Sequence, residues 1–162
     1  MLDKRPRVVL DTNTLLRGLA SPTSAAARVL RAAESRLIIP LLSKPVLDEY
    51  RDVLSDASLQ ARFPQLTVEL ISVTLLRLRF VSDYLRKPQV RFEYRRDPRD
   101  EKLIELAIAM RASHIISGDN DLLSLPAEKG ESGKRFRQRL PVACVVTAHE
   151  FLQLREVQAL LQ

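Results

Sequence analysis

Residues 7 to 19, RVVLDTNTLLRGL, change periodicity within two positions. Arg7–Leu10 has the continuous apolar, β-branched character of a buried strand, and from Asn13 to Ala20 the apolar residues recur at helical spacing, ended near Gly18 and Pro22. A strand apolar on both faces that runs straight into a helix fits a parallel sheet, where helices packed above and below keep it dry. The alternation continues along the chain. Thr23 or Ser24 caps a helix through Glu34 with Ala27, Val29, Leu30 and Ala33 on its apolar side, and Leu37–Pro40 is a short strand. Ser43 before Lys44-Pro45 caps a third helix, in which Val46, Leu47, Tyr50, Val53 and Leu54 recur at helical spacing. A periodic stretch, Leu66–Leu78, leads into a strand at Phe80-Val81-Ser82. Further strands are predicted at His114–Ile116 and Val142–Val146, with a closing helix over Ala148–Leu161. The expected fold class is α/β: three layers, with a mostly parallel central sheet of about five strands.

Two segments break the pattern. Arg86–Arg99, RKPQVRFEYRRDPR, reads as an exposed connection that opens, at Asp97 or Asp100, into a helix with Leu103, Ile104, Leu106, Ala107, Ile108 and Met110 on its broad apolar face. Glu128–Arg139, EKGESGKRFRQR, reads as a polar separator before the last strand. No internal repeat or long linker divides the 162 residues, so one domain over 1–162 is expected. With no apolar run near the roughly 20 residues that cross a bilayer and no signal-peptide pattern at the start, a soluble, cytoplasmic protein without membrane contact is expected. The only cysteine, Cys144, excludes an intrachain disulfide and reads as a small core residue. With His114 and His149 it leaves too few soft ligands for structural zinc, so any metal would be held by oxygen. His114, at the start of a buried strand, reads as structural, and so does His149. The net charge of +6 makes a polyanion such as nucleic acid the first candidate partner.

In open α/β sheets chemistry gathers at the carboxyl ends of the strands. Asp11 follows one such end, and Asp119 and Asp121 follow another, just after Ile115-Ile116. These two apolar runs are expected side by side in the centre of the sheet, which brings their acids together. Glu49 in the third helix and Asp100 in the first turn of a later one can point inward to join them. Four or five carboxylates in one cleft repel each other and raise one another's pKa unless cations neutralise them. Hard oxygen ligands with room for water suit Mg²⁺ or Mn²⁺.

Four stretches, LDTNTLL at 10–16, SKPVLDEYRDVL at 43–54, RDPRDEKLIELAIAM at 96–110 and HIISGDNDLLSL at 114–125, together resemble the acidic motifs of the PIN-domain family, in the family's order. The likeness runs from about residue 7 to residue 152. It is closest to the bacterial and archaeal branch described as toxin components of toxin–antitoxin pairs, whose third motif reads Arg-Asp-Pro-x-Asp. The resemblance implies a sheet ordered 3-2-1-4-5 and a Mg²⁺- or Mn²⁺-dependent endonuclease acting on RNA. It assigns the catalytic, metal-holding acids to Asp11, Glu49, Asp100 and Asp119, with Asp121 as an accessory, and gives Thr12, Asn13 and Ser117 the orienting positions. It implies hydrolysis by activated water, leaving a 5′-phosphate and a 3′-hydroxyl. A cognate antitoxin and a homodimer are the partners it suggests, with Leu66–Leu78 as the candidate dimer surface.

Each acid has a plainer reading. Asp11 can cap the following helix, Asp119 and Asp121 can be turn residues, and Glu49 can be a solvated helix residue. The resemblance selects Glu49 over Asp48, and Glu49 lies beside the stripe of Val46, Tyr50 and Val53. Asp100 is preferred to Asp97 because Leu103 and Ala107 lie three and seven residues on. Arg91, Arg95, Arg96, Arg99, Lys134 and Arg135 flank the third and fourth acids and are expected to form a nucleic-acid track. Phe92, Tyr94 and Phe136 among them can stack on bases or anchor their loops. Three other functions share parts of this pattern: an RNA- or protein-binding module that does not cut, a structural interaction protein, and a phosphotransfer domain of the haloacid-dehalogenase type. The last expects an Asp where this chain has Asn13.

Overall fold

The computed structural model describes residues 3–162. Its core is a sheet of five parallel strands in the order β3-β2-β1-β4-β5. They are β1 (Arg7–Leu10), β2 (Ile39–Ser43), β3 (Asp83–Leu85), β4 (His114–Ile116) and β5 (Cys144–Val146). Helices α1 (Thr12–Ala20), α2 (Ala25–Glu34), α3 (Lys44–Leu54), α4 (Ala57–Arg62) and α5 (Val68–Val81) precede β3. Helix α6 (Glu101–Ala109) precedes β4, α7 (Asn120–Ser124) and α8 (Glu131–Arg139) lie between β4 and β5, and α9 (Ala148–Gln153) and α10 (Arg155–Leu161) close the chain. The result is a three-layer α/β/α fold. Burial follows position in the sheet: β2 and β4 are buried along their whole length and β1 over its last three residues, whereas the edge strands β3 and β5 are half exposed. Leu10 lies in register with Ile116, so the chain leaves the two central strands at the same level, at Asp11 and Ser117.

Several expected boundaries move for local reasons. β2 starts at Ile39 rather than Leu37, because α2 ends in a Schellman turn: Arg36 takes a φ of 58°, its N–H donates to Ala33 O, and the Leu37 N–H donates to Ala32 O. The same device ends α6, where Arg111 has a φ of 53° and Ala112 N–H donates to Ala107 O. Phe80 and Val81, expected in a strand, belong to α5: the helical spacing of Ile71, Leu75 and Leu78 outweighs local β propensity, and Ser82 stops the helix by donating to Leu78 O. β3 therefore begins at Asp83. The polar stretch expected as a separator folds as α8, because Gly133, Phe136 and Leu140 form one thin buried row along it. The closing helix breaks at Leu154, whose backbone is extended. Cys144 is exposed on the edge strand and is not a core residue. Other features hold as read: Ser24 and Ser43 cap α2 and α3 with their hydroxyls, and His114 is buried edge-on to Phe151.

The segment between β3 and α6 is pinned rather than loose. Phe92 and Tyr94 are buried, their backbone N–H groups donate to Glu105 and Glu101, and the Tyr94 hydroxyl donates to Asp121 O. Phe136 is buried as well. All three aromatics are thus anchors and none is a surface for stacking bases. Among the described residues no helix is long and apolar enough to cross a membrane.

Candidate metal centre

Asp11 occupies the N-cap position of α1, yet its side chain makes no capping hydrogen bond. Instead Asp11 Oδ2 accepts from the Ser117 hydroxyl at 2.6 Å, and Ser117 Oγ in turn accepts from the Asp119 N–H at 2.9 Å. Ser117 is fully buried and stitches the end of β1 to the end of β4. Burial raises the Asp11 carboxyl above the usual carboxylate range and the Ser117 hydroxyl opposes the shift, while the charges of Asp119 and Glu49 add to it. Asp119 serves two ends at once. Its Oδ1 caps α7 by accepting from Asp121 N–H, and a carboxylate oxygen of the same residue joins a cluster with Asp97 and Asp100.

In that cluster, oxygens of Asp97, Asp100 and Asp119 lie within 4.8 Å of one another. Asp97 belongs to it as well as Asp100, the one that helical spacing favours. The 3₁₀ turn Pro98–Asp100 explains why: it carries Asp97 at its N-cap, where the carboxylate accepts from the Arg99 N–H and guanidinium, and turns Asp100 into the protein. Arg99 thereby holds Asp97 below the ordinary range. Asp100 has no such partner. It is buried, its Oδ2 accepts no hydrogen bond, and its pKa is pushed up to about 7, first by burial and then by the charges of Asp11, Asp97, Asp119 and Glu49.

Glu49 faces inward from α3, accepting from the Thr12 hydroxyl at 2.7 Å and from Lys102 Nζ at 2.8 Å. Asp48, its neighbour, turns outward to Lys44 at 2.5 Å. Tyr50, buried beside Glu49, donates its hydroxyl to Leu10 O and so ties α3 to the last residue of β1. Burial, then the negative charges of Asp11 and Glu49, raise the pKa of that phenol. Lys102 was not singled out by the sequence, although it stands two residues after Asp100 in the first turn of α6. A lysine inside an acidic motif was the available signal.

Asp121 stands apart from the three clustered acids, with its carboxylate 3.6 Å from Arg96 Nη1. Asn13 is exposed, and its side chain makes no hydrogen bond among the described residues. Of the expected basic track, Arg95 is paired with Glu93 at 2.7 Å, Arg99 with Asp97 at 3.1 Å, and Arg96 approaches Asp121 and Glu128. Arg91, Lys134 and Arg135 are exposed and form no salt bridge among the described residues. Half of the six are therefore already engaged by the protein's own acids.

A buried carboxylate with an unpartnered oxygen, facing two further carboxylates, is a set of hard donors with unmet demand for positive charge. Such a set fits a divalent cation. In comparison with known proteins, a family model for the PIN domain matches residues 7–121, a span that contains Asp11, Glu49, Asp97, Asp100, Asp119 and Asp121. No curated protein and no solved structure matches the chain.

Proposed function

This chain belongs to the PIN-domain family, and we propose that it is a divalent-metal-dependent endoribonuclease, the toxin of a toxin–antitoxin pair. One observation carries the reading: the unpartnered Oδ2 of buried Asp100, set against Asp97 and Asp119 with Asp11 and Glu49 close enough to perturb it. The protein stabilises this charge only in part, with Ser117, Thr12 and Lys102.

Asp100 and Asp119, with Asp11 and Glu49 beside them and Asp97 at the rim, would hold Mg²⁺ or Mn²⁺. When bound, the cation supplies Lewis-acid charge and lowers the pKa of a coordinated water, so no protein nucleophile is needed. The residues of the chain supply position. Ser117 fixes the Asp11 carboxylate and the Asp119 backbone on one hydroxyl, Thr12 orients Glu49, and Tyr50 holds α3 at a set distance from β1. Lys102 Nζ donates to Glu49 Oε1 and places a positive charge beside that carboxylate. Asn13, where a phosphotransferase would carry a second acid, favours hydrolysis over an aspartyl-phosphate route. RNA is the proposed substrate. An antitoxin would cover the acidic cleft, and the exposed apolar residues Val68, Leu76 and Phe80 of α5 support self-association there.

The test is cleavage of structured and unstructured RNA in Mg²⁺, Mn²⁺ or EDTA by wild type and Asp11→Asn. Wild type should cut only with metal, and the variant should lose more than about a hundredfold, since disturbing even the supporting partners of metal ligands costs up to that much. Undiminished, EDTA-resistant activity in the purified variant would refute the proposal.

A further inference from the structure

A cleft of about 740 Å³ reaches the acid cluster at one of its members, Asp119, and is lined besides by Asn13, Ser117, Arg17, Arg62 and Phe63. Resting on the nuclease reading above, we propose that this cleft, and not the basic segment before α6, is the groove that receives single-stranded RNA.

Charge decides between the two. The acid cluster repels phosphate, so a strand presented to it must be held by cations that are free to bind it. In the segment before α6 Arg91 is unpaired among the described residues, but the three arginines nearest in sequence to Asp100, Arg95, Arg96 and Arg99, face Glu93, Asp121 with Glu128, and Asp97 respectively. Arg17 and Arg62, by contrast, are exposed and make no salt bridge among the described residues. Both residues line a cleft whose only acidic lining residue is Asp119.

Geometry agrees. Asn13 and Arg17 are four residues apart on α1, on one face and separated by about 6 Å along the axis. Arg17 therefore lies about one phosphate further along a strand whose reacting phosphate is at the acids. Among the other residues lining the cleft, the Arg62 guanidinium lies 5.3 Å from the centre of the Phe63 ring, an aromatic–cation pair of the kind that stacks unpaired bases. Helix α4, which carries Arg62, has no buried residue. It therefore adds little to the core, yet it is fixed in place: Asp56 caps it, and Gln65 Nε2 just beyond it donates to Ala20 O at the end of α1. The volume lies within the roughly 300–1,000 Å³ of ordinary ligand pockets. That is room for about one or two unpaired nucleotides and too little for a duplex.

The test is fluorescence anisotropy of a labelled unstructured RNA on the Asp11→Asn protein in Mg²⁺ across a salt series, with the same RNA annealed to its complement as a second arm. Arg17→Ala/Arg62→Ala should weaken single-strand binding about tenfold or more and flatten the salt dependence by about 1.4 in log–log slope, two phosphate contacts at about 0.7 each. Phe63→Leu, which keeps the packing, should weaken it about fivefold or more without changing that slope. Arg155→Ala, outside the cleft, should change neither. Unaltered affinity and slope in the double variant, with loss instead in Arg95→Ala/Arg96→Ala, would overturn the groove. So would duplex binding as tight as single-strand binding. If wild type cuts RNA normally while the groove variants bind as before, the groove alone is wrong. If the groove variants lose binding but wild type never cuts with any metal, the groove stands and the nuclease reading falls. Absence of any binding by a folded protein overturns both.

Discussion

Replacing Asp100 with asparagine is expected to make the metal-free protein more stable at pH 8, although it removes a proposed ligand. Asp100 is buried with Oδ2 unpartnered, and its pKa of about 7 lies well above the ordinary value of 3.8 for an aspartate. A carboxyl raised in the folded state binds more protons there than in the unfolded chain, so it destabilises the fold as pH rises from about 4 through 7. The difference of about three units corresponds to about 4 kcal/mol at pH 8 and about 2 kcal/mol at pH 5.5. Asparagine keeps the shape, carries no charge, and its amide can donate to Asp97 or Asp119. Urea denaturation in EDTA at both pH values measures this directly. Wild type should lose about 2 kcal/mol between pH 5.5 and 8 from this group, and Asp100→Asn should exceed wild type at pH 8 by up to about 4 kcal/mol. Adding Mg²⁺ at pH 8 should close the gap, because it stabilises the acid-rich wild type by mass action. If the variant is no more stable than wild type at pH 8 without metal, the acids are not held against each other as described and the case for a cation loses its physical basis.

Lys102→Met removes the ammonium from Glu49, whose side chain is 18% exposed, and in EDTA should cost about 1–2 kcal/mol, between the values for surface and buried pairs. Mg²⁺ should restore most of the loss; an equal loss with and without metal would make Lys102 a packing residue only. Gly133→Ala should lower the melting temperature by about 5 °C or more, despite alanine's higher helix propensity. Its Cβ would lie 2.1 Å from the Glu128 carbonyl oxygen, which is backbone and cannot swing aside. An unchanged or higher melting temperature would mean that α8 sits further from residue 128 than described.

The parts of the fold that were legible in the sequence are those where local and tertiary preferences agree. The doubly buried strands β1 and β4 and the serine caps of α2 and α3 follow from spacing along one element, whereas the choice of Glu49 over Asp48 came from the family resemblance, with helical spacing only in agreement. What was hidden depends on contacts between elements. Nothing local says that Arg36 and Arg111 will take left-handed conformations to close their helices, or that one buried phenylalanine and a bare glycine will hold α8 down. The choice between Asp97 and Asp100 could not be made from helical phase, because the residues between them form a 3₁₀ turn that admits both to the cluster. The basic segment before α6 was easy to see, and its compensation by neighbouring acids was not: two of its ion pairs join residues only two positions apart, but the Arg96 contacts cross to α7 and Glu128.

The Ser117 hydroxyl that joins Asp11 to Asp119 spans 106 positions of the chain. During synthesis, the first acid leaves the ribosome long before the residues that complete its surroundings, and a site so dependent on distant pairing closes late. Under the ribonuclease activity proposed above, the site would thereby be incomplete while the chain is still attached to the message and ribosome that are making it.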